Sequence, residues 1–290
     1  MSPRSLAQHG GQRRYAVSSW LWAPVFTPKA LDKAYEFGFD GIEIPTFDGK
    51  LDVVQIRDVL GSHSKIVPII IGGGSASTDL SSEDASVVSS GVEYIKRCLE
   101  VCSKLGGDLI CGPLYSTVGA PIYLTETHRQ RVLEHIAVTF KDIGKFGNDL
   151  GVRLALEPLC RYDTHLINTS KQGMQLVEKI GEENVGLLLD TFHLNIEEKS
   201  FSNAITLAGD KLFHLHACEN DRGAPGSGLV QWEQVAEAVD SIKYKGWIAI
   251  ESFVPFENGF SSAMRVWRRL EENQDDIASK GLAFLKSKFG

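Results

Sequence analysis

The sequence predicts an α/β fold, a single (β/α)8 barrel over residues 15–290. Three observations carry this. Four apolar runs in the second half each end on a side chain suited to a metal ion: Arg153-Leu154-Ala155-Leu156-Glu157, Gly186-Leu187-Leu188-Leu189-Asp190, Leu212-Phe213-His214-Leu215-His216 and Trp247-Ile248-Ala249-Ile250-Glu251. Their ends recur about every 25 to 35 residues with helix-like sequence between, the rhythm of consecutive strand–helix units. The same alternation runs through the first half, and eight such units favour closure into a parallel barrel. Finally, 290 residues with 43% apolar content and no composition break after the first 14 suit one large barrel.

Strands are read from short aliphatic or β-branched runs bounded by Gly, Pro or polar residues. The first is Tyr15–Trp22, followed by a helix that starts after Pro28, a favourable first-turn residue. Gly41–Pro45 comes next, with a helix from about Leu51 to His63. Lys65–Ile71 is third, followed by Gly72-Gly73-Gly74 and a long helix from about Ser82 to Leu105. Asp108–Leu114 is fourth, with a helix from about Thr125 to Leu150. Arg153–Leu159 is fifth, with a helix over 170–181. Val185–Thr191 is sixth, with a helix over 200–209. Leu212–Cys218 is seventh, with a helix over 231–242. Gly246–Phe253 is eighth, and one helix from about Ser261 to the C-terminus closes the ring.

Glycine punctuates several of these joints, at Gly38, Gly106, Gly151 and Gly246, where a left-handed residue would end the helix and turn the chain back. A doubly wound open sheet would carry a Gly-rich phosphate loop after its first strand. That place holds Ser19-Trp20-Leu21-Trp22. The Gly72-Gly73-Gly74 run lacks the dinucleotide spacing and reads as a flexible rim loop.

Thirty Lys and Arg against 37 Asp and Glu give a formal charge of −7. Nothing in that balance calls for nucleic acid or an anionic membrane as a partner. No apolar stretch reaches the roughly 18 residues of a membrane span. Five cysteines without paired metal spacing, and no secretory signal, read as reduced thiols in the cytoplasm. Residues 1–14 are polar and basic and read as a disordered tail.

Parallel strands deliver their C-terminal residues to one rim, so Glu157, Asp190, His216 and Glu251 should converge. Such a set is oxygen-rich and hard, fit for one divalent ion, with carboxylates left for proton transfer. Alternation supports the phase. If Glu157 points inward, so does Ala155, while Leu154 and Leu156 face the helices. Glu251 and Ala249 behave alike. His214 shares the inner face with His216, one layer deeper, as a hydrogen-bonded histidine rather than a ligand. Glu43, in the second strand, reads equally as a site residue or an ordinary charged end.

At this point the chain resembles a known family. Leu154-Ala155-Leu156-Glu157, Leu189-Asp190-Thr191-Phe192-His193-Leu194-Asn195-Ile196-Glu197-Glu198, the segment from His214 to Arg222, Pro225–Trp232 and Ala249-Ile250-Glu251-Ser252-Phe253 are similar to the D-tagatose/D-psicose (D-allulose) 3-epimerases, ketose 3-epimerases of the xylose-isomerase-like TIM barrels. The resemblance spans most of 15–290 and is sharpest from 150 to 255. It implies one divalent ion, Mn2+ or Co2+ with Mg2+ as a further option, held by Glu157, Asp190, His216 and Glu251. It implies that His193 and Arg222 contact the sugar near O1 and O2, and that the protein is a homodimer or homotetramer. Family members often bind the O1 end with a second Glu six residues after the first metal Glu; here that position is Asp163, one methylene shorter. Tyr15, Trp20, Trp22 and Tyr115 are further candidates to line the sugar.

Epimerising C3 of a 2-ketose means taking a proton alpha to a carbonyl and returning one to the other face. Glu157 and Glu251, on the fifth and eighth strands, are placed to act as the acid/base pair through a cis-enediolate. The nearest alternative is a sugar isomerase, with Glu219 and Asp221 supplying a second metal site. A keto-inositol or 3-keto-sugar lyase (dehydratase) would use the same barrel. A multi-zinc nuclease would want more His and a basic face, and a non-enzymatic sugar-binding barrel would turn nothing over.

Overall fold

Eight parallel strands close on one another in sequence order: β1 (Arg14–Ser18), β2 (Gly41–Pro45), β3 (Val67–Ile71), β4 (Leu109–Gly112), β5 (Arg153–Leu156), β6 (Val185–Asp190), β7 (Leu212–Ala217) and β8 (Trp247–Ile250). β8 pairs back onto β1, Ala249 beside Ala16. The structure, a computed structural model, describes residues 13–46, 51–120, 122–256 and 260–290. Residues 1–12 of the expected tail lie outside the described residues. The last two are ordered: Arg14 opens β1 and its guanidinium lies 4.2 Å from the Trp247 ring centre.

The outer layer holds α1 (Pro28–Phe37), α2 (Val53–Ser62), α3 (Ala85–Leu105), α4 (Glu126–Asp149), α5 (Ser170–Ile180), α6 (Thr191–Glu197), α7 (Phe201–Ala208), α8 (Trp232–Ser241), α9 (Phe260–Met264) and α10 (Gln274–Phe289). Side-chain caps start most of them. Thr27, Asp52, Asp84, Thr125, Thr169, Ser200 and Asn273 each accept from a first-turn N–H. Alternation along the strands divides the core as expected. Ile42, Leu154, Leu156, Leu189, Leu215 and Ile250 pack outward with the helices, while Ala16, Ile69, Cys111, Ala155, Trp247 and Ala249 fill the barrel. Alanine at three inner positions leaves room beneath the mouth.

Four differences from the sequence reading have physical causes. The first strand stops at Ser18 because Ser19 O takes the N–H of Trp22 and Ala23, turning the chain into a 3-10 segment, Ser19–Leu21. α6 was not expected; Asp190 ends β6 and also caps the new helix through Phe192 N, so strand and helix abut without a linker. The single C-terminal helix is two, α9 and α10, with Arg265 at φ 57 breaking the run between them. After α8 the left-handed residue is Lys243, at φ 52, not Gly246. Gly246 is required for another reason: a Cβ there would stand 2.5 Å from Phe213 O.

β6 and β7 also slip by one residue. Leu187 pairs with Leu212, but Leu188 pairs with His214, so Phe213 is the extra residue of a bulge. The slip sets Asp190 directly beside His216.

Gly112 is the tightest point on the rim. Its φ is 119, and a Cβ would come 2.1 Å from Gly72 O. Gly112→Ala is therefore expected to cost about 3 kcal/mol or more. Thermal denaturation should show a fall of about 5 °C or more.

Candidate active site

The rim gathers what the alternation predicted. Glu157 follows β5, Asp190 ends β6, His216 lies in β7 and Glu251 follows β8; all four are buried. His216 Nδ1 stands 3.8 Å from Glu157 Oε1, 3.8 Å from Asp190 Oδ2 and 3.4 Å from Glu251 Oε2. One ligand atom from each of the four lies within 4.8 Å of the others. The donor chemistry, three carboxylates and one imidazole nitrogen, fits a divalent ion. His216 Nδ1 is buried and has no hydrogen-bond partner among the described residues.

Three acids this close cannot all be ordinary. Burial raises the proton affinity of Glu157 well above the usual carboxylate range; His216 opposes this, while Glu251 and Asp190 add to it. Burial pushes Asp190 the same way, but Arg222 reverses it and holds Asp190 well below its ordinary value. His216 is raised well above its ordinary value, because Glu43 and Glu251 outweigh burial.

Arg222 sits in a left-handed conformation, φ 68, in the loop after β7. Its guanidinium donates to Asp190 and, at 2.9 Å, to Glu251 Oε2, and it lies 4.1 Å from the Phe192 ring centre. His193, expected in a loop, is in α6. Its Nδ1 accepts from Cys160 N at 3.0 Å, which places a neutral ring's proton on Nε2, the nitrogen that stands 3.2 Å from Arg222 Nη2 and 3.8 Å from Glu157 Oε1. Burial lowers its pKa to about 4, so the ring is neutral.

Asp163 lines the same cavity, with Oδ1 held by Arg265 at 2.7 Å. The Cys160, Asp163 and His193 group is not built for a metal. His193 Nδ1 is already engaged, and burial pushes the Cys160 thiol up to about 12.

The cavity over the rim is about 730 Å³. Trp20 lines it; the other three aromatic candidates do not. Tyr15 and Tyr115 are core residues, the latter donating to Glu157 O at 2.9 Å, and Trp22 donates to Asp275 at 2.8 Å. Phe192, Phe253 and the segment from Ala263 to Leu270 also line it. Phe253 was legible, two residues past Glu251 on the inner face. The 263–270 segment was not, because it read as helix interior.

The Gly72-Gly73-Gly74 loop is tied down rather than flexible. Its three N–H groups donate to Cys111 O, Tyr94 Oη and Pro113 O, so none is left to cradle a phosphate. The second metal site of the isomerase alternative is also missing from the described residues. Glu219 binds Gly226 N, Val230 N and Trp232 Nε1, while Asp221 pairs with Arg268 at 3.2 Å.

Comparison with known proteins agrees with this rim. A family described as the xylose isomerase-like TIM barrel matches residues 31–288. An L-ribulose 3-epimerase from Methylomonas sp. (strain DH-1) is 32% identical over 285 residues, 97% of this chain and 98% of the relative. A D-psicose 3-epimerase from Agrobacterium fabrum is 34% identical over 286 residues, 95% of this chain and 98% of the relative. A crystal structure of a Methylomonas D-allulose 3-epimerase in complex with D-allulose superposes with a TM-score of 0.89 at 30% identity, covering 96% of this chain and 97% of that one. The chain belongs to the ketose 3-epimerases, isomerases built on the xylose isomerase-like TIM barrel.

Proposed function

We propose that this protein epimerises C3 of a free ketose of the D-tagatose, D-psicose, D-fructose or L-ribulose type. Glu157 and Glu251 exchange the proton through a cis-enediolate. The observation that carries this reading is the flanking of one imidazole nitrogen by two glutamates from strands on different sides of the mouth, at 3.8 and 3.4 Å. Relatives named for D-psicose and L-ribulose support the substrate class.

Glu157, Asp190, His216 and Glu251 would hold one divalent ion, with Mn2+ or Co2+ favoured and Mg2+ a further option. When bound, it supplies Lewis acidity to the oxygens beside C3. The protein does the rest. One glutamate takes the C3 proton while the other returns a proton to the opposite face. Neutral His193 donates Nε2–H toward O2, where negative charge develops. Arg222 steadies O1 and O2 as a permanent cation. Asp163, beside Arg265, is assigned to the O1 end of the sugar.

Residues 15–290 are read as one domain and the protein as a cytoplasmic homodimer or homotetramer. The five buried cysteines support a reducing compartment. The test is a panel of ketohexoses and ketopentoses on protein stripped by chelator and reloaded with Mn2+, Co2+ or Mg2+. At least one C3 pair should interconvert; if none does with any metal, the proposal fails.

A further inference from the structure

We propose that Glu43 is a positioning residue: it holds the His216 ring so that Nδ1 faces the three carboxylates. The proposal rests on the reading of Glu157, Asp190, His216 and Glu251 as the ion-holding group. Glu43 lies in the middle of β2, beside Ser18 of β1 and Ile69 of β3, and is fully buried. A charged side chain inside a barrel needs partners, and it has two. Its Oε1 is 2.6 Å from His214 Nε2 and 2.8 Å from His216 Nε2.

A carboxylate oxygen accepts, so each Nε2 carries the proton. In neutral His216 the remaining lone pair is then on Nδ1, the atom that stands 3.4 to 3.8 Å from the rim acids. The His214 ring packs edge-on against His216, centroids 5.0 Å apart at 76°, and blocks rotation from below. Carboxylate, histidine and ion in line is a general way to orient a ligand and raise its basicity.

Glu43, Cys111, His214 and His216 also lie close enough to be considered an ion site themselves. The short contacts argue otherwise. Ligands at about 2.0–2.2 Å from one ion stand roughly 3 Å or more apart, whereas these are hydrogen-bond lengths. Burial moreover pushes the Cys111 thiol up to about 12, leaving it protonated.

The experiment compares wild type, Glu43→Met and Glu43→Gln by chelator-competition titration of the stripped proteins with Mn2+ and Co2+, with melting curves of the metal-free forms. Met removes the acceptor at similar volume; Gln keeps one. Glu43→Met should bind each metal about 10- to 100-fold more weakly, and Glu43→Gln should recover most of that loss. Unchanged affinity in folded Glu43→Met, even with a lower metal-free melting temperature, would overturn the positioning role and leave the rim site standing. A wild type that binds neither metal would overturn both. If Glu43→Met does not fold, 15N NMR of Zn2+-loaded wild type decides. Coordination through His216 Nδ1 with a retained, hydrogen-bonded Nε2–H supports the role; coordination through Nε2 overturns it.

Discussion

Glu157→Gln, and separately Glu251→Gln, should lower kcat for C3 epimerisation by about 10²- to 10⁴-fold, the usual contribution of a positioned acid or base. Ketose affinity should change far less. Gln keeps the shape and one oxygen of Glu, so the packing beside Ala155 or Ala249 is undisturbed; what is lost is the exchangeable proton. Glu157 is the sharper case, because burial already gives its carboxyl a raised proton affinity suited to handing protons on and off. Both variants should be assayed at saturating metal, since each residue is also a proposed ligand, and by isothermal titration with ketose. A variant that still turns over at a wild-type rate would remove that glutamate from the acid/base pair. A wild type that binds ketose and turns nothing over would make the barrel a binding module.

Removing divalent ions with chelator should abolish turnover, and Mn2+ or Co2+ should restore it. Binding to the folded protein alone stabilises it by about 2.7 kcal/mol at a hundredfold excess over Kd. That corresponds to a rise in melting temperature of about 4 to 5 °C. The pH dependence has a definite sign. His216 and Glu157 both hold protons more tightly than their ordinary values. An incoming cation must displace those protons, so metal affinity should fall as pH falls and strengthen as pH rises. Titrations at a series of pH values check this; a metal affinity that rises on acidification would exclude these two residues as ligands.

The site was legible where one residue type in one strand register carried the information. Glu157, Asp190, His216 and Glu251 are strand-end residues, and period-two alternation was enough to place them on one face. The cue failed where local backbone geometry decides. Nothing in Leu212-Phe213-His214 marks the bulge at Phe213, yet that bulge aligns His216 with Asp190. Asp190 doubles as strand end and helix cap, so α6 hid inside what read as a loop, and His193 with it. Arg265 at φ 57 split the last helix and brought the 263–270 segment over the cavity, a long-range placement that helical periodicity cannot show. Glu43 was ambiguous for the same reason, since its partners His214 and His216 lie more than 170 residues along the chain.

Proton NMR of the ketose in D2O with metal-loaded protein tests the two-glutamate scheme most directly. The proton taken by one glutamate is not the one the other returns, so the C3 epimer should form with solvent deuterium at C3 and none at C1. Label at C1 or C2, or a C3 epimer formed with its original hydrogen intact, would contradict proton transfer by Glu157 and Glu251 across C3.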